Sequence, residues 1–195
     1  MDISSAKKQL RQICKNQRGQ ISPAQRDRFA DQVAAFLEVF IEAENFEQVF
    51  GYRSFGSELS VNLLIDRISK HRTCALPRID GKPGNYHMCF HRYQAGDLLL
   101  KNRYGIEEPE ASQPILEPAV NTKTLIIVPS LALNQNGKRL GYGGGFYDRY
   151  IGQNSETVRV GVNFSNLCEM DVPTGPHDAI MHYLCSEKGL KKTRP

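Results

Sequence analysis

Residues 125–150 read LIIVPSLALNQNGKRLGYGGGFYDRY, and this stretch decides the fold. Leu125-Ile126-Ile127-Val128 is the clearest strand in the chain, apolar at every position and halted by Pro129. The loop after it carries two adjacent cations, Lys138 and Arg139, then four glycines within five residues, Gly141, Gly143, Gly144 and Gly145. A helix is expected from Gly145 to Ile151. Strand, glycine-rich turn and helix in that order form the repeating unit of an α/β domain.

Working outward, the same alternation recurs. Leu10, Ile13 and Cys14 sit at helical spacing in a helix expected over 5–17 and ended by Gly19. Ser22-Pro23-Ala24-Gln25 starts a second helix, with Ser as N-cap, Pro at the first helical position and Gln completing a capping box. Phe29, Val33, Phe36, Leu37 and Phe40 mark one of its faces. Val49 to Tyr52 reads as a buried strand. Ser60 caps a helix carrying Val61, Leu64, Ile65 and Ile68. Thr73 to Leu76 reads as a strand stopped by Pro77, and Arg78 to Tyr86 as a Gly/Pro-rich loop. His87 to Tyr93 is extended. Pro109, Pro114 and Pro118 speak against regular structure in 104–120. Val158 to Phe164 and Ile180 to Cys185 are two further strands. Short apolar strands alternating with helices predict one α/β domain over 1–195 with a largely parallel sheet, and residues 191–195 as a frayed basic tail.

Bulk properties bound the function. A chain of 195 residues is one domain's worth under a prior of roughly 100–200 residues per domain. Its net charge of +4 permits an anionic partner such as a nucleotide, a polyglutamate tail or RNA, and selects none. Five cysteines, widely spaced and without a C-x-x-C pair, argue against a disulfide framework or a zinc knuckle and for free thiols in a reducing compartment. The first residues lack the apolar run of a secretory signal, and Asp2 with a lysine-rich pattern weakens a mitochondrial address. No stretch approaches the roughly 18 apolar residues of a membrane helix. A cytoplasmic protein is the expectation.

The glycine stretch has what a phosphate site needs. Glycines let backbone N–H groups approach oxygens with no Cβ in the way. Successive amides form an anion nest, the following helix N-terminus adds partial positive charge, and Arg139 offers a forked pair of donors. It fits neither familiar glycine motif: Arg139 follows Lys138 where a P-loop needs Ser or Thr, and Phe146 stands where a dinucleotide fold needs its last Gly. A flexible glycine turn is the plain alternative.

The string Arg139-Leu140-Gly141-Tyr142-Gly143-Gly144-Gly145-Phe146-Tyr147-Asp148-Arg149-Tyr150 resembles the R-L-G-x-G-x-G-Y-Y-D-R-[YF] signature of the 5-formyltetrahydrofolate cyclo-ligase family. The likeness runs from about Lys7 to Gly189. Lys7 to Arg11 matches the family's K-x-x-x-R, Ser54-Phe55-Gly56-Ser57-Glu58 its S-F-x-x-E, and Leu76-Pro77-Arg78 its Leu-Pro-Arg. Met88 with Phe90, Gly105-Ile106-Glu107-Glu108-Pro109, and His177-Asp178 complete it.

The resemblance implies a three-layer α/β/α sandwich like that of ribose-5-phosphate isomerase and the CoA transferases. It also implies an enzyme that cyclises 5-formyltetrahydrofolate to 5,10-methenyltetrahydrofolate with ATP as co-substrate and Mg²⁺ as cofactor. Lys7, Lys8 and Arg11 would then contact ATP, with residues Arg139 through Tyr147 (Leu140, Gly141, Tyr142, Gly143, Gly144, Gly145 and Phe146 between them) forming the triphosphate loop. Arg139, Tyr147 and Asp148 would carry the chemistry, and Asp148 and Asp178 would bind Mg²⁺. Glu58 would face the pterin, with Arg53, Met88 and Tyr147 beside it. The expected partners are ATP and a reduced folate, polyglutamylated or not, with neither membrane nor nucleic acid. A monomer is the expected state, a dimer the alternative.

Four positions depart from the family pattern. Arg53 replaces an apolar residue, Phe146 the first Tyr of Y-Y-D, Asn134 a Phe, and Leu167 a Gln. None removes a proposed phosphate or metal ligand, so they bear on substrate choice. Arg53 and Leu167 keep alive a related ATP-using enzyme with another acceptor. The charge and basic ends keep alive a non-catalytic nucleotide or RNA binder, against which Glu58, Asp148 and Asp178 speak. His87 and His91 share a strand face without a further ligand, so no metal site is expected there. His177 is either an outer support for Asp178 or an ordinary loop histidine. Cys14 and Cys185 are expected in the core.

Overall fold

The structure is a computed structural model, and it describes residues 2–82, 84–119 and 121–194. Its elements in chain order are α1 (Ile3–Gly19), α2 (Pro23–Ala43), β1 (Gln48–Phe50), α3 (Asn62–Ile68), β2 (Thr73–Lys82), β3 (Asn85–Tyr93), β4 (Leu99–Lys101), β5 (Glu107–Pro109), β6 (Ile115–Leu116), β7 (Thr124–Pro129), β8 (Ala132–Leu133), β9 (Arg139–Leu140), α4 (Phe146–Gln153), β10 (Val158–Val162), β11 (Tyr183–Ser186) and β12 (Gly189–Lys192). Eight strands form the main sheet in the order β12-β11-β10-β7-β1-β2-β3-β6. The inner strands β11, β10, β7, β1 and β2 run parallel. β12 closes one edge antiparallel, and β3 with β6 closes the other.

The apolar run of β7 explains the layering. Side chains alternate across a strand, so a strand covered on both faces needs apolar residues at every position. Leu125 and Ile127 enter one core with Cys14 of α1, Val33 and Leu37 of α2, and Leu64 of α3. Ile126 and Val128 enter the other with Phe50, Phe90, and Tyr150 and Ile151 of α4. β1 divides the same way, Val49 to the first core and Phe50 to the second. Helices on both faces of a mostly parallel sheet give the three-layer α/β sandwich.

Local signals hold at the start of α2 but not of α3, whose N-cap is Val61 rather than Ser60 and which has no side-chain cap bond. Ser22 and Gln25 make the capping box, Gln25 N–H donating to Ser22 Oγ at 3.3 Å and Ser22 N–H to Gln25 Oε1 at 3.1 Å. Several other expectations fail. Pro77 does not stop β2, because it lies past Ala75, the last residue paired to β1, and its missing N–H leaves no parallel neighbour unsatisfied. Residues expected as a loop over 78–86 are instead the outer half of a long hairpin, pairing Arg78 with Cys89 through Lys82 with Asn85; Pro83 lies outside the described residues. Nor is the C-terminus frayed. Lys191 and Lys192 belong to β12, Thr193 is buried with its hydroxyl donating to the Met181 carbonyl at 2.8 Å, and Arg194 N–H bonds Gln135; Pro195 lies outside the described residues. Within 104–120 the short strands β5 and β6 form, and Val120 lies outside the described residues. Among the described residues no helix is long and apolar enough to cross a membrane.

Candidate active site

After β1 the chain turns one way to β2 and later crosses back to lay β7 on the other side. The carboxyl ends of β1 and β7 therefore diverge, which is where open α/β sheets bind ligands. A cavity of about 560 Å³ opens there, within the usual range for small-molecule sites. Tyr52 and Arg53 follow β1 into it, Pro129 ends β7 beside it, and Pro77 and Ile79 of β2 with Met88 of β3 form an apolar wall. The β4–β5 turn, the glycine loop and α1 complete the lining.

The glycine loop is shaped by the helix opposite. Arg11 Nε donates to the Gly141 carbonyl at 2.9 Å. Gly143 has φ 109°, a left-handed conformation, and a Cβ there would stand 3.4 Å from the Arg11 guanidinium. At Gly141 the limit is space, since a Cβ would meet Arg139 Nη1 at 2.6 Å. Gly145 is the N-cap of α4, whose first turn carries Asp148. Backbone amides, a helix start and three cations thus converge on one end of the cavity.

Two of those cations, Arg139 and Lys7, are paired with carboxylates in advance. Arg139 is buried, donating Nη2 to Asp148 Oδ1 at 2.9 Å and Nη1 to the Pro129 carbonyl at 3.3 Å, with its guanidinium 5.7 Å from the Tyr147 ring centre. Lys7 Nζ donates to both oxygens of Asp178, at 2.7 and 2.6 Å. Burial works to raise the Asp178 pKa, but Lys7 and the Gly175 N–H outweigh it and hold the carboxyl below its usual range. Ala179 N–H donates to Asp148 at 3.2 Å, so the two carboxylates belong to neighbouring segments. Among the described residues no group of three or more His, Cys, Asp or Glu could hold a metal alone. Two carboxylates at a phosphate end do fit Mg²⁺, whose shell is completed by phosphate oxygens and water.

The other end is largely apolar and holds two desolvated acids, Glu58 and Glu108, each with its pKa raised by burial. Glu58 accepts from Phe55 N–H at 2.8 Å, and burial raises its pKa against the pull of Tyr142, Phe55 and Arg18. The Tyr147 hydroxyl is buried with no partner, its pKa raised by burial and then by the Glu58 charge. It remains a protonated donor on a residue that lines the cavity.

Most proposed residues meet in this cavity: Lys7, Arg11, Arg53, Glu58, Met88, residues 139–148 and Asp178. Lys8 does not; one residue round the helix, it is exposed and faces away. Arg53 lines the cavity, but its charge is directed elsewhere: it pairs with Asp66 at 2.5 Å, donates to the Tyr93 hydroxyl and reaches the Asn62 carbonyl, none of which lines the cavity. Leu167 is fully buried in the core, and Asn134 Oδ1 closes the 134–138 turn by accepting from Asn136 and Lys138 N–H. Phe146 stays on the lining. His91 is buried with Nδ1 at 2.7 Å from the Gln113 carbonyl, His87 is exposed, and the two share no site. His177 is exposed beside Asp178. Cys14 and Cys185 are core residues, as expected.

Sequence reasoning missed Arg18. It is 3% exposed, donating to Ser57 Oγ at 3.0 Å and the Tyr142 hydroxyl at 2.5 Å, so it ties the Glu58 loop to the glycine loop. Its signal was the spacing Lys7, Arg11, Cys14, Arg18, one helix face carrying three cations.

The family model described as the 5-formyltetrahydrofolate cyclo-ligase family matches residues 3–187. The 5-formyltetrahydrofolate cyclo-ligase of Haemophilus influenzae is 27% identical over 171 residues, covering 86% of this chain and 90% of that protein. The mouse protein of the same name is 27% identical over 155 residues, 76% of this chain and 75% of its own. The solution structure of Aquifex aeolicus 5,10-methenyltetrahydrofolate synthetase superposes with a TM-score of 0.82 at 25% identity, covering 97% of this chain and 93% of that one. With the match spanning α1, the glycine loop and the strands between them, this chain belongs to the 5-formyltetrahydrofolate cyclo-ligase family.

Proposed function

We propose that the protein closes 5-formyltetrahydrofolate to 5,10-methenyltetrahydrofolate, consuming ATP with Mg²⁺ and releasing ADP and phosphate. One observation carries this reading. A single cavity joins a cationic glycine loop at one end to an apolar wall with a desolvated carboxylate at the other. That arrangement suits a triphosphate held against a flat heterocycle.

The chemistry needs both ends. A formamide oxygen is a poor leaving group, and phosphorylation makes it a good one. The formyl oxygen attacks the γ-phosphorus while the bond to the bridging oxygen breaks, and ADP departs with that electron pair. N10 of the folate then attacks the imidate carbon and loses its proton, and the carbon–oxygen bond breaks to release phosphate. No oxidant or reductant is involved. The protein's work is positioning and charge neutralisation.

The residues divide accordingly. Arg139, Arg11 and the amides of residues 141–147 orient the phosphates. Lys7 leaves Asp178 for a phosphate oxygen, which frees that carboxylate. Asp148 and Asp178 would hold Mg²⁺, which supplies charge neutralisation on the phosphates when bound. Glu58 accepts paired hydrogen bonds from a pterin ring N–H and amino group. The Tyr147 hydroxyl donates to the reacting formyl or phosphoryl oxygen. Met88, Ile79 and Pro77 pack the ring and exclude water. Leu167 in the core and the Arg53 guanidinium turned from the cavity weaken the case for a different acceptor. Five free thiols, four of them buried, suit a reducing compartment, the cytoplasm.

The test is an absorbance assay with purified protein, 5-formyltetrahydrofolate, ATP and Mg²⁺, following the near-ultraviolet band of the methenyl product. Product from the parent and little from Asp148→Ala supports the reaction and the metal role. No product while ATP still binds by calorimetry removes the folate reading.

A further inference from the structure

The β4–β5 turn, at the rim of the cavity, carries a cation that no step above uses. Arg103 sits in the turn between β4 and β5, between Asn102 and Tyr104, which both line the cavity. The turn is held from within. Asn102 Oδ1 accepts from the N–H of Tyr104 at 2.8 Å and of Ile106 at 3.1 Å, while its Nδ2 donates to buried Glu108 at 2.7 Å.

The guanidinium is held as well. Arg103 Nη1 donates to the Tyr86 hydroxyl at 2.7 Å and Nη2 to the Tyr104 hydroxyl at 2.6 Å. Its central carbon lies 4.2 and 4.7 Å from the two ring centres. The side chain thereby bridges the β2–β3 hairpin to the β4–β5 turn. Arg53 and Arg139 each face a carboxylate, whereas among the described residues Arg103 has none within ion-pair distance. Among the described residues two of its five N–H donors have partners and three have none. A guanidinium oriented by neutral hydroxyls, exposed and lacking a counter-ion, is a prepared site for a carboxylate fork.

We infer that Arg103 binds a carboxylate at the glutamate end of the folate and so sets the enzyme's preference for the substrate's tail. This rests on the proposed function, which puts the pterin at Glu58. Phe55 and Ile106 also line the cavity, and the Phe55 ring packs against the turn (a Cβ at Gly105 would stand 3.4 Å from it), so apolar lining continues from the Glu58 loop to the β4–β5 turn. The aromatic linker of a folate suits that lining, and its α- and γ-carboxylates emerge where Arg103 waits. Stacking on two tyrosines fixes the fork before the ligand arrives, which lowers the entropy lost on binding.

The test compares the parent, Arg103→Gln and Arg103→Lys using 5-formyltetrahydrofolate with one and with three γ-linked glutamates. Arg103→Gln raises the folate KM about tenfold, within the range for a lost charge-assisted hydrogen bond, and leaves kcat and the ATP KM unchanged. Arg103→Lys restores part of the loss. A competing pteroate analogue without the glutamate inhibits parent and Gln variant equally. An unchanged folate KM in Arg103→Gln, or an equal loss for the tail-less analogue, overturns the assignment. Should the parent turn over no folate, calorimetry with 5-formyltetrahydrofolate separates the two readings. Binding that weakens in Arg103→Gln retains this site and removes the proposed reaction; binding equal in both, or absent from both, removes the site.

Discussion

The two ends of the cavity treat charge in opposite ways. At the glycine loop, Arg139 and Lys7 each already face a carboxylate, and the pairing holds Asp178 below the usual carboxylate range. At the apolar end, burial holds the Glu58 pKa above the usual range, and among the described residues Glu58 has no cation in direct contact and the Tyr147 hydroxyl no partner. The first end is stable as it stands and must exchange partners to bind. The second is held at an energetic cost that a ligand bringing N–H donors would relieve. A triphosphate supplies new anions for the first kind of site, and a neutral heterocycle supplies donors for the second.

Substitutions can break this contrast, and the largest effect is expected at Asp148. Asp148→Ala leaves buried Arg139 without its carboxylate and removes a proposed metal ligand, so kcat falls by about 10³-fold or more, with a lower melting temperature. Asp148→Asn keeps the shape and separates the two effects: turnover stays lost while much of the stability returns. An Asp148→Asn variant with near-parent turnover, measured by methenyl absorbance, would remove the metal role.

Glu58→Gln comes next. It loses the ionised acceptor, so kcat/KM for the folate falls by about 10²-fold. Because folding raises the Glu58 pKa, its ionised form opposes folding above the unfolded value, and the amide variant should melt higher at neutral pH. The acid limb of kcat/KM in the parent should lie above the ordinary Glu value of 4.5 and vanish in the variant. A variant that is both less active and less stable contradicts the contrast.

Lys7→Met should raise the ATP KM about tenfold, with the neighbouring Lys8→Met as a control that changes nothing measurable. The sign of its pH dependence is fixed. Asp178 is depressed on folding, so the pair's stabilisation is present above the unfolded value near 3.8 and is lost as pH falls through the lower folded value. Melting curves of parent and Lys7→Met should therefore converge in acid. The smallest catalytic effect is expected at Arg53→Leu. Its guanidinium serves Asp66 and Tyr93 outside the cavity, so stability drops by about 1–2 kcal/mol while the folate KM changes less than about threefold.

The sequence by itself determined the α/β class, the central strand and the glycine loop, while the other residues around the cavity came from the family resemblance. It could do so because these signals are local. A strand buried on both faces must be apolar throughout, as 125–128 is, and a loop that wraps an anion must bring glycines, as 141–145 does. Only the tertiary structure decided the rest. Pro77 passes inside a strand because β1 has already ended beside it, and the polar 78–86 segment forms a hairpin because its partner strand, rather than any apolar pattern, supplies the order. The basic end becomes an edge strand because β11 offers it a free row of backbone groups. The same reason separates Lys7 from Lys8 and hid Arg18 and Arg103. Helical periodicity locates an inward face by its apolar residues, but the inner stripe of α1 carries cations that bond the glycine loop, and Arg103 acquires its place only when two hairpins meet.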